Sequence, residues 1–244
     1  MLSKQHPSYA RVHSIILSQA ITGESVGIEH YARMIPLATD LDERLRLLED
    51  AWRERQHLES MRDVAGQLGV RGEEARDDPY WSRVKAAFAD RAARGDLLGC
   101  YVMQDVVLEC FAVTLYESLV PCVEPFIATR LESIAADERA HLAEGMRLVR
   151  AAYNRDPDGT LERLQLANER VARVLGEWIK PQNCAPVCGV CGSVGGGCAK
   201  PDLELLQLNM SRVQSTFVAR YGDVLREIGV PTGQVTRWLA RLFD

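Results

Sequence analysis

Six residues of this chain have the types and spacing to bind metal ions together. Glu24 is followed after 30 residues by Glu54 and His57, and Glu109 is followed after 29 residues by Glu138 and His141. Within each Glu-x-x-His motif the two side chains leave a helix on the same side, so they can grip one ion. Two such motifs and two single glutamates, brought together from four facing helices, make the ligand set of a carboxylate-bridged pair of ions. Four carboxylates neutralise two divalent cations, and mixed oxygen and imidazole donors suit iron or manganese better than a thiophilic metal. A lone Glu-x-x-His is common on solvated helices; the in-phase repetition sets this chain apart.

The faces that these acids occupy carry the argument. The stripe around the first reads Leu17, Ile21, Glu24, Ile28, Tyr31, and around the second Leu47, Glu54, His57, Met61, Val64. The third reads Val102, Val106, Glu109, Val113, Tyr116, and the fourth Leu131, Ile134, Glu138, His141, Leu148. Each acid stands where a helix buries an apolar side chain. Unpaired carboxylates there cost several kcal/mol apiece, so a cation must compensate. Around them, Asp137 is placed to accept the free ring N–H of His57, and Tyr116 to hydrogen-bond a ligand carboxylate or to serve as an ordinary core tyrosine. Arg53 stands before Glu54 where Asp137 stands before Glu138, so His141 needs another partner, Asp50 or a backbone carbonyl. Gly23 and Gly27 leave room beside Glu24 for substrate, for oxygen or for close helix packing.

A second group, Cys184, Cys188, Cys191 and Cys198, lies in a Gly- and Cys-rich stretch without helical period. Four thiolates at that spacing could hold an iron–sulfur cluster or zinc, the cluster being favoured because it could pass electrons to the other metals. The alternative is an oxidation-prone loop. Cys100, Cys110 and Cys122 read as small core residues.

Apolar spacing of three and four predicts helices over 8–36, 40–68, 79–94, 97–120, 122–153, 158–180, 202–227 and 231–243, with no convincing strand. Asp78 and Pro79 read as a helix start, and 156–159 as a turn. The expectation is one all-α domain over 1–244, a four-helix bundle with additional helices and a loop insertion at 181–201. A net charge of −5 excludes broad contact with nucleic acid or anionic lipid. No uninterrupted apolar run approaches the ~20 residues of a membrane span. With no apolar leader at the N-terminus and seven cysteines read as reduced thiols or ligands, a cytoplasmic protein is expected.

Several stretches resemble the aldehyde-deformylating oxygenases (long-chain aldehyde decarbonylases) and their ferritin-like relatives: Tyr9–His13, Ile21–Glu24, Glu54–His57, Gln104–Tyr116, Asp137–Leu142 and Ile228–Thr232. The resemblance implies a ferritin-like bundle in which Glu24, Glu54, His57, Glu109, Glu138 and His141 ligate two iron ions that activate O2, the co-substrate. It also implies a small-molecule substrate and an external electron donor, and leaves a homodimer open. Glu117, Ser118 and Leu119 depart from the family's more aromatic or neutral residues, and the cysteine stretch departs too. On that ground the favoured substrate is a small polar one, an amine or hydrazine oxygenated at nitrogen. The alternatives are deformylation of a fatty aldehyde to alkane and formate, and an iron-storage or redox-sensing bundle.

Overall fold

The computed structural model describes residues 2–179 and 203–243. Four long helices surround the acids: α1 (Tyr9–Met34), α2 (Leu41–Leu68), the composite helix Leu97–Leu119, and α6 (Pro125–Arg155). Glu24 faces His57 and Gly27 faces Glu54, so α1 and α2 run antiparallel. Glu117 meets Arg139 and Asp105 meets Gly145, so the composite helix and α6 do the same. Outside this bundle lie α3 (Pro79–Ala93), α7 (Pro157–Ala167), α8 (Arg173–Ile179), α9 (Met210–Ile228) and α10 (Thr232–Ala240). No strand occurs among the described residues.

Local chemistry sets the helix ends. Asp40 accepts from Glu43 N at 3.1 Å and opens α2, and Asp78 accepts from Tyr80 N and Trp81 N ahead of Pro79. Each satisfies donors that the first helical turn leaves unpaired. Asp156 ends α6 and caps α7 through Gly159 N, with Pro157 as its first residue. After α2 the chain runs back along α1. The backbone N–H groups of Arg71, Glu73 and Ala75 donate to the hydroxyls of Ser14, Ser18 and Thr22. Alternate donors of an extended segment thus meet hydroxyls spaced one helical turn apart, which accounts for three buried polar residues on α1.

The 97–120 helix is not uniform. After α4 (Leu97–Tyr101) it becomes a π-helix over Val102–Leu108, then α5 (Glu109–Leu119); Glu109 N–H bonds to Gln104 O, five residues back. A second π-helix spans Asn168–Ala172 between α7 and α8. By length and mean composition Leu97–Cys122 could cross a membrane, but 83% of its apolar window is buried inside the protein. It is the central core helix, covered by α6, α9 and the π-helix at 168–172. The expected 202–227 helix begins at Met210, after a 3-10 turn at Glu204–Leu206.

Helix α6 comes close to the π-helix because residue 145 is glycine. A Cβ there would lie 2.3 Å from Asp105 Cβ and 3.1 Å from the Asp105 backbone. Gly145→Ala should therefore cost about 1–3 kcal/mol, through forced separation of the two helices. In α2, a Cβ on Gly66 would meet nothing within 4 Å, and Gly66→Ala should stabilise by roughly 0.5–1 kcal/mol. Denaturant melts of both variants check the contrast; an unchanged midpoint for Gly145→Ala refutes the close approach.

Candidate metal centre

The six residues meet in the middle of the bundle, between 1% and 4% exposed. Glu24 comes from α1, Glu54 and His57 from α2, Glu109 from the junction of π-helix and α5, and Glu138 and His141 from α6. They form two quartets, Glu24–Glu54–His57–Glu138 and Glu54–Glu109–Glu138–His141, whose donor atoms within each quartet all lie within 4.8 Å of one another. Glu54 and Glu138 belong to both, which is the topology of two ions bridged by two carboxylates.

Both imidazoles turn Nδ1 inward. His57 Nδ1 lies 3.2 Å from Glu138 and 3.4 Å from Glu24, and His141 Nδ1 lies 3.1 Å from Glu138, 3.4 Å from Glu54 and 4.0 Å from Glu109. On the far side, His57 Nε2 is 3.1 Å from Asp137 Oδ2, across the bundle. The room is made by glycine: a Cβ on Gly27 would sit 2.7 Å from the Glu54 carboxylate, so this residue serves the acid itself. Gly23 instead lines an adjoining cavity.

Crowding shows in the protonation of these groups. Burial, then Glu138, Glu109 and Glu24, push the Glu54 carboxyl well above its ordinary range; burial and then Glu138 do the same to Glu109. Burial alone would lower His57, but the Glu138 and Glu24 carboxylates outweigh it and push the imidazole up to about 11. Glu24 Oε2, Glu54 Oε1 and His57 Nδ1 are nevertheless buried without a well-directed hydrogen bond among the described residues. Native interiors rarely leave such atoms unsatisfied. Three buried ligand atoms that lack a well-directed hydrogen bond fit a cation, and the oxygen and imidazole set fits iron.

Hydrogen bonds brace the cluster from outside. The Tyr116 hydroxyl donates to Glu24 Oε1. Gln104 Nε2 donates to Glu109 Oε1 at 2.8 Å, and Gln104 Oε1 accepts from His30 Nδ1 at 2.7 Å. His30 stacks on Phe88, and burial pushes it down to about 3, so it is neutral. Tyr31 donates to Asp105 at 3.1 Å and reaches Glu109 at 3.4 Å. Sequence reading missed Gln104, His30 and Asp105 as parts of the centre. The π-turn stacks Gln104 over Glu109, an offset that a regular helix would turn apart. The one available signal was an Asp and a Gln inside an otherwise apolar run. Glu117 does not border the centre; it is held by Arg139 at 2.7 Å and by Arg220 of α9. The four cysteines 184, 188, 191 and 198 lie outside the described residues, and so do their expected metals.

The fold has a solved counterpart, described as Protein 19 with aldehyde deformylating oxidase activity from Synechococcus. It superposes with a TM-score of 0.79 at 17% identity, over 98% of this chain and 100% of that one. At that identity the likeness is one of fold, a ferritin-like helical bundle. The sequence itself matches the family model of long-chain fatty aldehyde decarbonylase over residues 3–176. All six clustered residues fall inside the matched stretch, and the chain belongs to this family of ferritin-like di-iron oxygenases.

Proposed function

We propose that Glu24, Glu54, His57, Glu109, Glu138 and His141 hold two iron ions, and that the chain deformylates an apolar aldehyde with O2 and external electrons, releasing hydrocarbon and formate. The observation that carries the choice of substrate is the lining of the space next to the acids. A cavity of about 50 Å³ touches Glu24, Glu54, Glu109 and Glu138 and is otherwise walled mainly by Ala20, Gly23, Leu108, Phe111, Ala112 and Leu115. Through Gln19, Ala20, Leu115 and Tyr116 it adjoins a second cavity of about 50 Å³, bounded by Ile15, Ile16, Leu119 and Trp178. An apolar chain fits such walls, with its polar end toward the acids.

Bound ions would supply electrons to O2 and positive charge to stabilise the reduced oxygen. The remaining tasks belong to side chains already in place. Tyr116 fixes Glu24 at the cavity wall, and Gln104 with Tyr31 fixes Glu109. Asp137 holds His57 with Nδ1 inward. The aliphatic wall excludes water from the reacting carbon. Nitrogen oxygenation rested on Glu117, Ser118 and Leu119 and on the cysteine stretch; Glu117 pairs with two arginines and lines a separate cavity that none of the six clustered residues touches. Iron storage or sensing alone would leave the cavities without a role.

Reduced, iron-loaded protein supplied with O2, an electron donor and a long-chain aldehyde should yield alkane and formate in equal amounts. Leu115→Trp should lower that turnover at least about tenfold with iron content unchanged. Azoxy or nitro products from an alkylhydrazine, with no formate from the aldehyde, would reverse the assignment.

Metal binding should also move protons. Because neighbouring carboxylates, against burial, push His57 up to about 11, its imidazole holds a proton at pH 7 in the metal-free chain, and loading divalent ions should expel it. Affinity should accordingly fall as pH is lowered. Acidification of a weakly buffered solution on metal addition measures this, and Glu54→Ala should abolish both proton release and stable two-ion loading. Undiminished loading of Glu54→Ala contradicts the ligand set.

A further inference from the structure

The two histidines are supported unequally, although they mirror one another across the bundle. His57 reaches the residue before Glu138, Asp137, whose side chain is 48% exposed. The mirrored position before Glu54 is Arg53, a cation that cannot accept an imidazole N–H. His141 Nε2 is buried and without a hydrogen bond among the described residues. One helical turn before Glu54, on the same inward face of α2, stands Asp50, whose side chain is 9% exposed; its Oδ1 lies 3.6 Å from that nitrogen.

We infer that Asp50 is the positioning residue of His141, doing from inside the bundle what Asp137 does for His57 from its surface. The inference rests on the two-ion reading above. When Nδ1 faces a cation, the ring must carry its proton on Nε2, and an acceptor there fixes both tautomer and ring plane. Asp50 is itself held. Arg46 Nη1 lies 3.2 Å from its other oxygen, Oδ2, and so offsets the charge of a further buried acid. Arg46 in turn bonds through Nη2 to the Tyr101 hydroxyl at 2.6 Å, lies over the Tyr101 ring at 5.2 Å, and comes within 4.0 Å of Glu144 on α6. The Tyr101 hydroxyl donates onward to Glu43 at 3.0 Å. The brace is thus anchored on α2, α4 and α6 together. It makes the two metal positions chemically distinct: one histidine answers to a half-exposed carboxylate, the other to a sealed, arginine-paired one.

The test titrates metal-free wild type, Asp50→Asn, Asp50→Leu and Asp137→Asn with Co(II), followed by calorimetry and by the visible spectrum of the bound ion. Wild type should take up two ions. Asp50→Leu should hold one ion as tightly as wild type and the other about 10–100-fold more weakly. Asp50→Asn, which keeps a neutral acceptor, should lose less. Asp137→Asn should weaken one ion as well, and the double variant Asp50→Leu/Asp137→Asn should weaken both. The melting temperature of each metal-free variant separates a loosened site from a loosened fold, since a merely structural role would lower it and weaken both ions equally. That last pattern overturns the inference, as does Asp50→Leu binding both ions like wild type. A wild-type chain that takes up no ion sinks the metal centre itself, and a two-ion wild type with an indifferent Asp50 sinks only the role given to Asp50.

Discussion

Four carboxylates share one water-poor space at the centre of this bundle, and the rest of the molecule is arranged around that repulsion. Two like charges 4 Å apart repel by about 4 kcal/mol at an effective dielectric of about 20. A handful of such pairs would consume the roughly 5–15 kcal/mol by which a domain is stable. In the metal-free chain burial and the neighbouring acids push the Glu54 and Glu109 carboxyls well above their ordinary range, and the Glu138 and Glu24 carboxylates, against burial, push His57 up to about 11. Two divalent cations would relieve the repulsion more fully, because they would cancel the charge and partner the buried oxygens and nitrogen that lack a well-directed hydrogen bond. The fold invests in that space with glycines: residue 27 yields to the Glu54 carboxylate, and residue 145 lets α6 approach the π-helix next to Glu109.

The helices of the bundle were legible because three of them obey a simple rule. Along α1, α2 and α6 the apolar period of three and four is unbroken, and an acid in phase with it must point inward. Two other helix starts were legible for a local reason, an Asp before a Pro at 78, opening α3, and again at 156, opening α7. The composite helix was only half readable. Every residue from Val102 to Cys110 is buried, so no exposed polar face marks its phase, and the wider π-turn leaves no trace in the pattern. For that reason Glu109 was found but its brace was not. Gln104 and Asp105 look like interruptions until the π-turn aligns one with Glu109 and sets the other beside Tyr31. The hydroxyls of Ser14, Ser18 and Thr22 were silent for a different reason. Their partners are backbone donors of a segment some fifty residues away, and sequence carries no signal for a bond to a main chain.

Internal repetition was both the strongest clue and a misleading one. Glu24 with Glu54–His57 and Glu109 with Glu138–His141 look interchangeable in the sequence, and the two quartets share their bridging acids symmetrically. Everything around them is asymmetric. The apolar cavity touches both halves, but Tyr116 bonds to Glu24 of the first, while Asp50, Asp105 and Arg46 lie on the side of the second, by the π-helix. If both quartets hold ions as proposed, equal ligand sets with unequal surroundings would give those ions unequal affinity.

The charge balance of the centre also bears on the substrate. With four carboxylates and no cation, the cavity would face strong negative potential and draw in a protonated amine. Two divalent ions, bound as proposed, would bring the four carboxylates to formal neutrality, and the attraction would disappear. What remains to select a ligand is the wall itself, which is aliphatic and aromatic around Ala20, Phe111, Leu115 and Trp178. The nearby charges that could restore a polar preference are already paired, Glu117 with Arg139 and Arg220, and Asp50 with Arg46. A neutral centre at the end of an apolar cavity favours an uncharged head on a hydrocarbon chain, because such a molecule gives up little hydration on entry and gains contact along its length. An aldehyde meets that description, and a protonated amine does not.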